Sequence, residues 1–169
     1  MAGNNDHETT LPPVKFERVL GSLAEIEDWG LIQHNIPRVW EKTKGEGVTV
    51  AVIDTGMPDH EDIGDNAIKG KTFIDNETIA DEHGHQTHCV GIICAKDNDK
   101  GMVGVAPEAN ALCIKGLSNS GSGTYGSLIK SLDYCVKMKP DIVSMSLGGT
   151  APSTQIHDLI KKLTEMDIP

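Results

Sequence analysis

Val48-Thr49-Val50-Ala51-Val52-Ile53 is a run of small and β-branched residues without period-two alternation, and it stops at Asp54-Thr55-Gly56. Such a run predicts a strand buried on both faces of a parallel sheet. A carboxylate closing it stands at the carboxyl end of the strand, where open α/β sheets hold their sites; a turn or cap aspartate is the other reading at this point. Asn110-Ala111-Leu112-Cys113-Ile114-Lys115 predicts a second strand, residues 141–147 a third, and residues 71–74 a short one. Tyr125, Leu128, Ile129, Leu132 and Val136 recur at helical spacing, so residues 124–138 are expected as an amphipathic helix ended by Pro140. Ile156, Leu159, Ile160, Leu163 and Met166 repeat the pattern. Residues 36–42 predict a short helix with Pro37 in its first turn, stopped by Gly45 and Gly47. Residues 83–95 open with three histidines and turn apolar on nearly every face, which predicts a helix buried within the domain. Strands alternating with helices, with no hairpin signals, give an α/β fold: a three-layer sandwich around a mainly parallel sheet.

Composition narrows the partners. The chain has 169 residues, enough for one domain with a sizeable core, and carries 15 Lys plus Arg against 25 Asp plus Glu for a net charge of -10. No basic run is long enough to track a phosphate backbone, so no nucleic acid and no membrane are expected as partners, whereas cations are favoured. The first eight residues lack the basic start and apolar centre of a secretory leader, and a cytoplasmic protein is expected. Cys89, Cys94, Cys113 and Cys135 form no CxxC pair and sit in apolar segments, as buried free thiols do. Residues 1–10 offer little to bury and are expected to be disordered, while Pro12 and Pro13 force an extended segment.

Two groups of residues carry chemistry. Asp54 with a histidine of the cluster His83, His85 and His88, at a strand end and a helix start on one rim of a sheet, has the makings of the orienting and base halves of a nucleophilic triad. His83, His85 and His88 also form a His-x-His-x-x-His spacing that with Asp54 would suit Zn²⁺, the competing metallohydrolase reading. Gly121, Ser122 and Gly123 are either a flexible surface loop or an edge that leaves backbone groups free to pair with an extended peptide.

These motifs resemble those of the subtilisin-like serine peptidases, the subtilase family (peptidase S8), and most of all its intracellular members. That family carries Asp-Thr/Ser-Gly after an apolar strand and then His-Gly-Thr-His-Val-Ala-Gly opening a helix. Here Asp54-Thr55-Gly56 and His85-Gln86-Thr87-His88-Cys89-Val90-Gly91 stand in that order. Gly104-Val105-Ala106-Pro107, Gly121-Ser122-Gly123 before Tyr125, and Met145-Ser146-Leu147-Gly148-Gly149 match as well.

The resemblance implies a serine endopeptidase acting on polypeptide in extended conformation. Asp54 would be the orienting acid and His85 the general base. Gly121, Ser122 and Gly123 would form the peptide-pairing edge, and Ser146, Leu147 and Gly148 would line the pocket before the cleaved bond. It also implies a structural calcium on Asp62 and Asn98 with carbonyls near Lys96, Lys100 and Met102. Residues 1–28 would be an N-terminal extension lying across the site, with Leu11-Pro12-Pro13-Val14 at its centre. Residues 29–169 would be the first half of a catalytic domain. Two departures stand out. Gln86 replaces a glycine beside the base and either crowds the site or points away from it. No Gly-Thr-Ser-Met-Ala segment occurs in residues 1–169, so this truncated chain is expected to be inactive alone. A second chain carrying the serine, an interrupted reading frame or a fragment would account for that, and a peptide-binding module without turnover is the non-enzymatic alternative.

Overall fold

A computed structural model describes residues 8–11 and 25–169. Pro12, Pro13 and Val14 lie outside the described residues. The sheet at the centre has four parallel strands: β2 (Thr49–Asp54), β3 (Ala67–Thr72), β4 (Asn110–Lys115) and β6 (Ile142–Ser144), in the order β3-β4-β2-β6. Strands β2 and β4 pair in register from Thr49 with Asn110 to Asp54 with Lys115, so two charged residues close the two central strands side by side.

Alternate side chains of these strands feed opposite layers, as the pleat requires. Ala51, Ile53, Leu112 and Ile114 pack with Leu128, Leu132 and Cys135 of helix α4 (Tyr125–Met138) and Leu163 of α5 (Thr154–Glu165). Val50, Val52, Ala111 and Cys113 pack with Val90 and Cys94 of α3 (His85–Cys94) on the other face. This is the expected α/β three-layer sandwich. Thr124 caps α4 by accepting from Ser127 N, and Ser153 caps α5 by accepting from Ile156 N, which fixes where each helix starts. Two short helices, α1 (Trp29–Gln33) and α2 (Ile36–Trp40), precede the sheet.

Four expectations need correction. Helix α3 is not buried all round: Gln86, Val90, Gly91 and Cys94 face the sheet, but Ile92 is 44% exposed and His88 is exposed. Strand β3 covers Ala67–Thr72 rather than residues 71–74, because it pairs with β4 alone, with a register shift between Lys69 and Thr72, and its polar side chains face solvent. Strand β6 has only three residues, Ile142–Ser144, rather than seven; beyond Ser144 no described strand pairs with it, and a ladder without a partner ends. Residues 8–10 are ordered as β1 (Glu8–Thr10), which pairs antiparallel with β5 (Ser122–Thr124), Thr9 opposite Gly123. Strand β1 exists through non-local main-chain pairing with β5.

Candidate active site

The dyad is assembled from two element ends. Strand β2 delivers Asp54 to the sheet rim with its carboxylate fully buried, and the first residue of α3 is His85. The imidazole Nδ1 lies 2.8 Å from both Asp54 oxygens, and Thr55 N donates to Asp54 Oδ1 at 2.7 Å. Burial pushes the Asp54 carboxyl above its ordinary range, and the bonds from His85 and Thr55 pull against that rise. An imidazole held this way at Nδ1 presents Nε2 as a proton acceptor in a fixed tautomer.

The surrounding turn is cross-linked by residues the sequence did not mark. Asp81 accepts from Thr55 Oγ1 at 2.7 Å, from His83 N and Gly84 N, and from both N and Oγ1 of Thr87, so one carboxylate binds the Asp54 turn to the start of α3. Burial raises its pKa, but these donors outweigh it and leave the group below the ordinary range. Lys115 is wholly buried, and its Nζ donates to Thr55 O, to Ala80 O at 3.1 Å and to Asn119 Oδ1 at 2.7 Å, with Glu77 Oε2 at 3.4 Å. A charged residue ending an apolar strand was the signal used for Asp54, and it holds equally for Lys115. Asp81, in a loop of many acids, had no such signal. Gly56 must be glycine: its φ is +131°, and a Cβ there would run into the carbonyls of Ile79 and Ala80.

Gln86 points away from the imidazole cleft and into the protein. Its Oε1 accepts from Gly56 N at 2.6 Å and its Nε2 donates to Val52 O at 3.2 Å. Cys89 sits half-buried one turn along α3, its Sγ 3.8 Å from His85 Nδ1, and burial raises its thiol pKa despite a hydrogen bond with the Ser146 side chain. The three histidines do not converge. His83 and His85 meet edge to face with ring centres 6.2 Å apart, and the one metal-like donor set among the described residues is Asp54, His85 and Cys89.

The two segments expected to bind substrate lie near the histidine turn and the first turn of α3, Gly121 against His83 and Ser146 against Cys89. Gly121, with φ +75°, lies against His83; a Cβ there would come 2.8 Å from His83 Nε2. Ser122 and Gly123 belong to β5, whose partner is the chain's own β1, and Leu11 N donates to Gly121 O at 2.9 Å. Leu11 is buried in the apolar cluster that includes Leu117, Tyr125 and Leu128. Ser146 and Gly148 are exposed and Leu147 is half-buried, in irregular chain following β6. Ala151 N donates to the Tyr125 hydroxyl at 3.1 Å, which holds the end of that segment to α4.

Asp62 and Asn98 also come together. Asp62 is 6% exposed, and its oxygens accept from Asn98 Nδ2 at 3.1 Å and Met102 N at 3.0 Å, while Lys96 N donates to its carbonyl. Asn98 Oδ1 is buried with no hydrogen-bond partner among the described residues. A buried carboxylate and a spare amide oxygen are hard donors and fit Ca²⁺ in kind. No described helix is long and apolar enough to cross a membrane.

Over residues 45–167 the chain matches the subtilase family. It is 44% identical over 138 residues to an intracellular serine protease of Paenibacillus polymyxa, covering 78% of this chain and 42% of that protein. It is 41% identical over 159 residues to the major intracellular serine protease of Bacillus subtilis strain 168 (89% and 49%), and 35% identical over 127 residues to thermitase of Thermoactinomyces vulgaris (73% and 46%). The chain thus spans about half the length of these relatives or less. With the Asp54–His85 pair at the rim of a parallel sheet and the match running through both motifs, the chain belongs to the subtilase family of serine peptidases.

Proposed function

We propose that this chain supplies the acid–base pair and the peptide-pairing edge of a cytoplasmic serine endopeptidase, with the nucleophilic serine provided from outside residues 1–169. The observation that carries this reading is His85 Nδ1 lying 2.8 Å from both oxygens of a fully buried Asp54. In the reaction, His85 Nε2 takes the serine hydroxyl proton as Oγ bonds to the scissile carbonyl carbon and the C=O π pair moves onto oxygen. Asp54 holds the imidazolium through Nδ1–H. The same proton passes to the leaving amine as the C–N bond breaks, and water then repeats the sequence to free the acyl group. The substrate is an extended polypeptide that pairs with Gly121, Ser122 and Gly123 as an added strand and presents one side chain to the segment Ser146-Leu147-Gly148. The cytoplasmic assignment draws on the intracellular naming of two relatives.

The pairing of β1 with β5 supports reading residues 1–28 as an extension that covers the peptide edge and is removed on maturation, with residues 29–169 as the first half of the catalytic domain. Structural Ca²⁺ would be held by Asp62 and Asn98, with carbonyls near Lys96, Lys100 and Met102, and would tie the loop after α3 to the turn after β2. It takes no part in proton transfer.

The test is reconstitution. This chain is mixed with a second chain carrying a Gly-Thr-Ser-Met-Ala segment, and cleavage of an extended fluorogenic peptide is followed. Turnover that is abolished by a serine-directed fluorophosphonate and by His85→Ala supports the reading. Saturable peptide binding without turnover would replace it with the peptide-binding module, and turnover lost on removing zinc would replace it with the metallohydrolase. Mapping the mature N-terminus checks the extension, and full activity with residues 1–25 still attached would overturn that part.

A further inference from the structure

Residue 86 follows the imidazole directly and is fully buried. Its side-chain amide meets one backbone acceptor and one backbone donor, Val52 O and Gly56 N, and these lie two residues to either side of Asp54. Its own backbone N–H donates to Thr55 Oγ1 at 3.0 Å. Three hydrogen bonds from one residue therefore join the start of the helix that carries His85 to the three-dimensional frame of the turn that carries Asp54. Gly56 needs such a partner. Its backbone has left the sheet at φ +131°, it is buried, and a buried N–H without an acceptor carries its full desolvation cost. A planar amide has both halves of the required pairing at a fixed separation, which a carboxylate, a thioether or an aliphatic side chain of equal length lacks.

We propose that Gln86 is a positioning residue: its amide clamps the backbone on both sides of Asp54 and so sets the orientation in which the carboxylate meets His85 Nδ1. The amide bonds to the backbone on either side of Asp54, with the Cys113 thiol as a further neighbour, so it acts on the pair through the turn that holds the carboxylate. A space-filling role would need only volume at this position; the clamp needs the donor and the acceptor.

The proposal rests on reading Asp54 and His85 as an acid–base pair, and its test needs no turnover. In the ¹⁵N-labelled chain, Gln86→Met keeps the length of the side chain and removes both hydrogen bonds. Hydrogen exchange of the Gly56 amide is expected to speed up about tenfold or more, because its one acceptor is gone. The His85 Nδ1 proton is expected to exchange with water several-fold faster, while the Leu112 amide in β4 keeps its protection. If Gln86→Met does not fold, Gln86→Gly is measured in the same way. Rates for Gly56 and His85 within about twofold of the parent would overturn the proposal, as would a Gly56 amide that opens while the His85 proton is unaffected. Failure on either count leaves the peptidase assignment standing, and failure of reconstituted cleavage leaves the clamp standing.

Discussion

Two buried carboxylates, one beside the start of helix α3 and one beside the loop that follows it, are built in opposite ways. Asp54 is fully buried, and the imidazole and the Thr55 N–H converge on it, while Lys115 and Gln86 bind the backbone around it and Asp81 accepts from the Thr55 hydroxyl. Asp62 is almost as buried, but its carboxylate oxygens accept from neutral N–H groups of Asn98 and Met102, and beside it Asn98 Oδ1 has no partner among the described residues. In the first region the carboxylate itself is satisfied by the chain's own residues, although the buried Nδ1 of neighbouring His83 has no hydrogen-bond partner among the described residues. The second has a buried amide oxygen to spare, the donor that the proposed Ca²⁺ would take up.

The largest effect should come from breaking the first region at its centre. Asp54→Asn in the reconstituted enzyme is expected to lower kcat by about 10⁴-fold, since the amide favours the wrong imidazole tautomer while the geometry survives. Steady-state kinetics check this, and a loss under tenfold would contradict the role. Lys115→Met is expected next, at about 3–5 kcal/mol of folding stability, because it strands three acceptors and Glu77 around a buried position. Urea melts of the two chains measure it.

How much of this contrast was legible in the sequence depends on where the information sits. Strand β2, strand β4 and helix α4 were readable to within a residue or two, because an unbroken apolar run and a 3.6-residue stripe are local signals that burial then rewards. Strand β1 was not, because Glu8-Thr9-Thr10 has no burial pattern and becomes a strand only against β5. The dyad was readable from Asp54 and His85 in order. The direction of the Gln86 side chain was not, since a glutamine beside a histidine has no preferred side until Gly56 N and Val52 O are fixed in space. Asp81 was hidden among neighbouring acids for the same reason.

The second region gives a smaller effect of opposite kind. Ca²⁺ at about one hundred times its Kd should raise stability by about 2.7 kcal/mol, and Asp62→Asn or Asn98→Ala should remove the gain. Calorimetry with and without chelator decides it, and a calcium effect unchanged in Asp62→Asn would remove the assignment.

A smaller effect per pH unit probes how dry the apolar layer between the sheet and α3 is. Burial pushes the Cys94 thiol up to about 11 and the Cys113 thiol up to about 12 from an ordinary value of 9.0. A raised thiol favours the folded state while the unfolded chain also keeps the proton. That advantage is therefore full below pH 9.0 and is lost as pH rises toward 11 for Cys94 and 12 for Cys113. Each thiol contributes at most about 1.4 kcal/mol of loss per pH unit in that window. Melting curves from pH 8 to about 11 should steepen accordingly, and Cys113→Ala should flatten the slope, whereas an unchanged slope would mean that water reaches the thiol.

The account turns on the bond between His85 and Asp54, and nuclear magnetic resonance of the ¹⁵N-labelled chain reads it without a serine or a substrate. A His85 Nδ1 proton is predicted downfield of the amide envelope, abolished by Asp54→Ala and retained in His83→Ala and His88→Ala. No such resonance, or one that survives Asp54→Ala, would contradict the account.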